Sequence, residues 1–227
     1  MAKDVAIVLN SGSLNSAVVT ALAAQRFRPI LMHAVTAGQA SDDEAEATGS
    51  RRRSAFEQQV AHFKPYREHI VPMPFLSQIR PGGAKAHSVP PEFQPQAPIS
   101  AVALELLPLM ATAGRFASHY GAAAIYLGLR VGGAIDDLAQ ATEYVQIWAD
   151  LLQLACGLPE VEVQAPLLEL DPWQVVDLGL QVNAPLDRTW SCDGAGDEPC
   201  WACRGCKERE SAFQRSAKPD PIRATRR

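Results

Sequence analysis

The chain opens on Val5-Ala6-Ile7-Val8-Leu9, a short apolar run rich in β-branched residues and without polar alternation. A strand that is apolar on both faces must be covered on both faces, which calls for a sheet held between two layers of helices. The rest of the chain repeats the alternation. Leu14, Val18 and Leu22 recur at helical spacing after the break at Asn10-Ser11-Gly12-Ser13. Further strands are predicted at 29–35, Ile70 to Met73, Ala124 to Leu129 and Val161 to Ala165. Helices are predicted over Ser54 to Phe63, from near Leu107 to Tyr120 with Pro108 in the first turn, and over Ala141 to Leu154. Asp171-Pro172 supplies an N-cap and a first-turn proline for a last helix through Leu178. Strands alternating with helices predict an α/β fold with a parallel, helix-covered sheet.

Three segments break the rhythm. Thr36 to Arg53 is polar, with the acidic run Asp42-Asp43-Glu44-Ala45-Glu46, and reads as a solvated loop. Residues 77–98 are rich in proline and glycine and read as a long loop close to the site. Residues 218–227 are polar and basic and read as a frayed tail.

The 227 residues, 47% apolar, suffice for one core with a small appendage. With 25 acidic against 21 basic residues the net charge is −4, which excludes a strongly basic nucleic-acid-coating protein. No direct nucleic-acid binding is expected. A nucleotide site needs only local positive potential and stays open. No run approaches the roughly 20 apolar residues of a membrane span. Met1-Ala2-Lys3-Asp4 leads into the strand with no signal-peptide pattern, so a cytoplasmic location is expected.

Four of the five cysteines cluster as Cys192, Cys200, Cys203 and Cys206, with the spacing C-x7-C-x2-C-x2-C. In a reducing compartment such a cluster binds metal rather than forming disulfides. Four soft donors on a short loop suit tetrahedral zinc, and a site with no open position is structural. Gly194, Gly196 and Gly205 permit the turns, and Arg204, Lys207 and Arg209 stand near in sequence to offset the thiolate charge. Cys156, in an apolar stretch, reads as a core thiol.

A second motif, Ser11-Gly12-Ser13-Leu14-Asn15-Ser16, joins the first strand to the first helix. Such a junction aims backbone N–H groups and the positive helix end at an anion. Ser and Asn are also ordinary helix caps, so the loop alone admits both readings. Gly128 to Asp137 follows a strand, at the carboxyl end of the sheet where ligands bind. Arg130 is a candidate for a carboxylate or phosphate, and Asp136 or Asp137 for a purine-like amine. The plainer reading, a glycine loop and a helix-capping aspartate, is preferred. His33, near the end of the second strand, could border an adenine, but the reading as a packed histidine is preferred.

Ala165-Pro166-Leu167, Leu178-Gly179-Leu180, and Thr189-Trp190-Ser191-Cys192 with the three later cysteines resemble the 7-cyano-7-deazaguanine synthases, the QueC or ExsB-like family. The opening strand, loop and helix resemble that family's PP-loop. The resemblance implies a Rossmann-like fold of the adenine nucleotide α-hydrolase kind, with a PP-loop domain over 1–187, a four-cysteine zinc segment over 188–217 packed on it, and a tail over 218–227. It implies structural zinc, ATP with magnesium, deazapurine and nucleotide ligands, and a homodimer. Ser11, Gly12, Ser13, Asn15 and Ser16 would then form the nucleotide loop. The implied reaction converts 7-carboxy-7-deazaguanine and ammonia to the nitrile through an acyl-adenylate.

The chain departs from the family in this half. Its loop has Ser13 for the second glycine and Asn15 for the aspartate of SGG-x-DS. Ser13 is costly if the loop requires positive φ there. Glu105 stands where a cation is expected, Pro172 where a lysine is expected, and Gln39 is the one remnant of a Gln-Arg-His stretch. Two functions follow: an ATP-using enzyme that adenylates a carboxylate, or a catalytically impaired relative that binds a ligand or partner. The sequence assigns no catalytic residue.

Overall fold

A computed structural model describes residues 4–35, 43–77, 99–131, 135–194 and 196–224. Its centre is a five-stranded sheet made of β1 (Val5–Leu9), β2 (Arg28–Val35), β3 (Arg67–Pro72), β4 (Ala124–Leu127) and β5 (Glu162–Gln164). The order is β3-β2-β1-β4-β5, and every pairing is parallel. This is the Rossmann-like order, with the direction of strand addition reversing between β1 and β4.

Helices α1 (Leu14–Ala24), α2 (Asp43–Phe63), α3 (Ile99–Tyr120), α4 (Ile135–Asp150) and α5 (Pro172–Gln181) connect or follow the strands. They are succeeded by α6 (Arg204–Arg215) and the short α7 (Pro221–Ala224). The continuous apolar character of β1 is explained by where its residues go. Val5, Ile7 and Leu9 face a core with Met110, Ala113, Trp148 and Leu152 on the α3 and α4 side. Ala6 and Val8 face a second core with Val18, Phe56, Val176 and Phe213, beneath α1, α2, α5 and α6. Both faces of the strand are buried, as the run predicts.

Four expectations are corrected. From Asp43 onward the acidic run does not lie in a loop, because α2 begins there, while residues 36–42 fall outside the described residues. Glu, Ala and Arg are good helix formers, so a solvated charge run is compatible with a helix face. Pro108 is interior to α3, not in its first turn. Val102, Leu106, Leu109, Met110, Ala113 and Phe116 form an apolar stripe on the core, and that burial outweighs the lost backbone donor. Cys156 is exposed rather than buried, at the end of a one-turn π-helix over Leu151–Ala155 that follows α4.

The fourth correction concerns the expected tail. Asp220 is buried, and its carboxylate accepts from Arg209 Nε at 2.7 Å and Nη2 at 2.8 Å. Residues 218–224 therefore close back onto α6 instead of fraying. The loop expected over 77–98 falls outside the described residues from 78 onward, as do Gln39 and Gly132 to Ala134.

Candidate functional site

The loop after β1 sits at the topological switch point, where open α/β sheets bind ligands. Gly12 has φ +79, and a Cβ there would lie 2.2 Å from the carbonyl oxygen of Arg52 on α2. Only glycine fits that close approach. Ser13 does not need glycine's freedom, since it is extended at φ −80, ψ 171 and caps α1, its hydroxyl accepting from the Ser16 N–H. The cost anticipated for replacing a second glycine is therefore absent.

The hydroxyls of Ser11, Ser13 and Ser16 gather at 3.0–3.1 Å from one another. The Ser11 N–H donates to Ser16 Oγ at 3.1 Å. Asn15 reaches across the switch point, its Nδ2 donating to Gly128 O beyond β4 at 3.3 Å. The structure thus brings all five loop candidates to the N-terminus of α1, where aligned N–H groups favour an anion.

Behind the loop lies a buried polar layer that pattern reading missed. Asn10 Oδ1 accepts from the Gly12 N–H at 2.8 Å. Asn10 Nδ2 donates to Thr20 Oγ1 at 3.1 Å and Gln59 Oε1 at 2.9 Å. His33 Nδ1 donates to Asn10 O at 2.8 Å, and its ring stacks on Phe56 with centroids 4.8 Å apart. Burial, ahead of the nearby Arg53 and Arg52, holds His33 below the ordinary histidine range, although the bond to Asn10 opposes this. His33 is a packed, neutral histidine. The one signal for this layer was Asn10 at the end of an otherwise apolar strand.

The other candidates are placed differently. Arg130 is mostly buried and ion-paired with Glu208 on α6. Burial, with help from Arg204, draws its guanidinium below the ordinary range, and Asp171 opposes the shift. Asp136 and Asp137 lie in the first turn of α4, and the side chain of Asp136 is outside the described residues. No hydrogen bond or ion pair joins Asp137 to the loop among the described residues. Glu105 is exposed on α3, and Pro172 opens α5 behind the capping box of Asp171 and Gln174.

The four cysteines converge, with their sulfur atoms all within 4.8 Å of one another. Cys192 Sγ lies 3.5 Å from Cys200 Sγ and 4.0 Å from Cys203 Sγ. Four thiolates on a tetrahedral ion with bonds near 2.3 Å stand about 3.8 Å apart, so the set fits a metal ion. Backbone N–H groups of Gly194 and Cys200 point at Cys192 Sγ at 3.2 and 3.3 Å, and that of Cys203 points at Cys200 Sγ at 3.3 Å. Burial would push the Cys200 thiol up, but N–H donors from Ala202 and Cys203 and the neighbouring thiols outweigh it and hold the group to about 7. Burial pushes Cys192 and Cys206 up instead. Gly205 allows α6 to start hard against the chain, since a Cβ there would lie 2.0 Å from Ser191 O.

Charge around this turn is arranged otherwise than its neighbours in sequence suggest. Arg209 turns away to Asp220, Thr189 Oγ1 at 2.6 Å and Leu186 O at 3.0 Å. The turn's own Asp193 and Asp197 are met from α2, by Arg52 at 3.0 Å and by Arg51. The turn is also bolted to the loop, because the Trp190 N–H donates to Gly12 O at 2.9 Å.

A family model described as queuosine biosynthesis protein QueC matches residues 5–217. The chain is 27% identical over 224 residues to a 7-cyano-7-deazaguanine synthase of Acidobacterium capsulatum, covering 97% of this chain and 96% of that protein. It is 26% identical over 224 residues to the 7-cyano-7-deazaguanine synthase of Koribacter versatilis, covering 96% and 92% respectively. Among solved structures it resembles a 4-thiouridine synthetase in a complex with RNA and bound ATP, at 18% identity and a TM-score of 0.49, over 94% of this chain and 50% of that one. No helix among the described residues is long and apolar enough to cross a membrane.

Proposed function

Because the chain belongs to the QueC family, we propose that it is an ATP-dependent, ligase-like enzyme of the 7-cyano-7-deazaguanine synthase kind. The observation that carries this reading is the loop at the switch point. Gly12 in the left-handed region and an extended Ser13 cap present the N-terminus of α1 and three converging hydroxyls to one place. That arrangement suits the phosphates of a nucleotide.

In the proposed reaction, the carboxylate of a 7-deazaguanine acid attacks the α-phosphate of ATP and pyrophosphate leaves. Ammonia displaces AMP from the acyl-adenylate to give the amide. Activation of the amide oxygen by a second ATP, and its loss with AMP, leaves the nitrile. Ser11, Ser13, Ser16 and the N–H groups at the start of α1 bind phosphate oxygens. Asn15 cannot ligate magnesium as strongly as a carboxylate would. Cys192, Cys200, Cys203 and Cys206 hold zinc, which closes the turn with no open position and supplies folding energy. A homodimer in a cytoplasmic, thiol-preserving compartment completes the proposal.

One observation favours the second reading, a partner- or ligand-binding relative that has lost turnover. The arginines beside the loop are engaged, Arg52 with Asp193, Arg51 with Asp197 and Arg130 with Glu208. Charge-assisted contacts to a triphosphate would have to displace those carboxylates. Calorimetric titration of metal-replete protein with a non-hydrolysable ATP analogue and magnesium separates the two. Saturable binding is expected and leads to an assay with 7-carboxy-7-deazaguanine and ammonia. No binding up to millimolar analogue would overturn the enzyme reading.

A further inference from the structure

Asn10, Thr20, His33 and Gln59 lie beneath the Ser11–Ser16 loop, none more than 3% exposed. Amides buried this deeply are costly unless bonded. Gln59 uses both ends of its amide. Its Oε1 accepts from Asn10 Nδ2 at 2.9 Å, while its Nε2 donates to Gly12 O at 3.2 Å and to Arg188 O at 3.0 Å. Asn10 in turn holds the Gly12 N–H at 2.8 Å. Gly12 is thus gripped at its N–H and at its carbonyl, which also accepts from Trp190.

Glycine has no side chain to restrict the peptide planes on either side of it. In this loop, hydrogen bonds from outside supply that restriction. An apolar residue at 59 could fill the same space, but it would supply neither N–H donor. We propose that Gln59 is the positioning residue of the loop. It sets the Gly12 peptides, and with them the direction of the loop's N–H donors. It also ties that setting to residues 188–190, which lead into the cysteine turn. For its ligand this rests on the nucleotide reading above; for its geometry it does not.

The test is Gln59→Met, close in shape and without a donor, in the full metal-replete chain. Amide hydrogen exchange is measured across Ser11–Ser16 and Thr189–Trp190, alongside titration with the ATP analogue and magnesium. Loss of two donors is expected to speed loop exchange about tenfold or more and to weaken analogue binding by about ten- to a hundredfold, with metal content unchanged. A lower melting temperature alone would accompany any core defect and does not discriminate. Loop exchange equal to wild type, in a variant that merely melts lower, would overturn the proposal and leave Gln59 as core filling. If wild type binds no analogue, the nucleotide reading fails, and the exchange measurement still decides the positioning claim. Should Gln59→Met not fold, the double variant Asn10→Leu/Gln59→Met is compared with Asn10→Leu alone, because Asn10 also holds the Gly12 N–H; loop exchange no faster in the double variant than in Asn10→Leu would again overturn the proposal.

Discussion

The serine loop and the cysteine turn lean on the same helix, yet they keep their shapes by different means. The loop is held by the protein alone. Gly12, Ser13 and Ser16 are bonded to Asn10, Gln59 and each other, and Trp190 closes the set. The turn brings four thiols together that have no comparable partner in one another. Its N–H···S contacts orient the sulfurs, but thiolates this close repel unless an ion lies between them. The comparison teaches that the loop keeps its shape with nothing beyond the chain, whereas the turn gathers four donors whose spacing fits a metal ion.

The sharpest way to break this contrast is to deny the four cysteines the metal ion their spacing fits. Chelation, or Cys203→Ser, is expected to withdraw stabilisation on the order of 10 kcal/mol from a turn that α6 and Trp190 depend on. Metal analysis with thermal melting checks it, and a variant with full metal and an unchanged melt would sink the structural role. The next largest effect concerns the buried Arg209–Asp220 pair behind the turn. Asp220→Ala leaves Arg209 buried and unpaired and should cost about 3–5 kcal/mol by chemical denaturation. A change under about 1 kcal/mol would mean that Arg209 finds another partner or water.

In the loop, Gly12→Ala combines a left-handed backbone with a clash against Arg52 O. About 1–3 kcal/mol is expected for the strain, with nucleotide binding lost and metal retained. Metal loss in this variant would show that the two regions are not separable.

The smallest effect is in the metal-free turn. The thiolate is the nucleophile, so Cys200 should alkylate faster as pH rises, with a midpoint of about 7 and a flat, unreactive limb below it. The depressed value also means that ionised Cys200 favours the folded apo chain above its ordinary thiol range, a contribution lost as pH falls through 7. Mass-spectrometric alkylation against pH checks it, and a midpoint in the ordinary thiol range would show that the N–H donors do not hold Cys200 down.

Much of this architecture was legible because it rests on local patterns. Val5 to Leu9 announced a doubly covered strand, Asp171-Pro172 announced α5, and the cysteine spacing announced a convergent donor set. What failed was also local in cause. A proline costs one donor and so marks a helix start at Pro108, but the stripe from Val102 to Phe116 outweighs that cost. Charge marks solvent and so suggests a loop, yet a helix accommodates Asp43 to Glu46 equally well. A polar segment such as 218–227 suggests fraying, because it cannot show by itself that Asp220 will meet Arg209.

The sequence by itself determined the α/β order, the glycine at the loop's turn and the grouping of four thiols, since each depends on residues close together along the chain. Only the tertiary structure decided that Asn10 and Gln59, 49 residues apart, would meet beneath the loop. It also decided that Arg130 would be taken by Glu208 and that Arg51 and Arg52 would answer the acids of the cysteine turn. Such pairings arise from packing one helix layer against a sheet edge and another helix, and a polar side chain carries no mark of the distant partner that burial will give it.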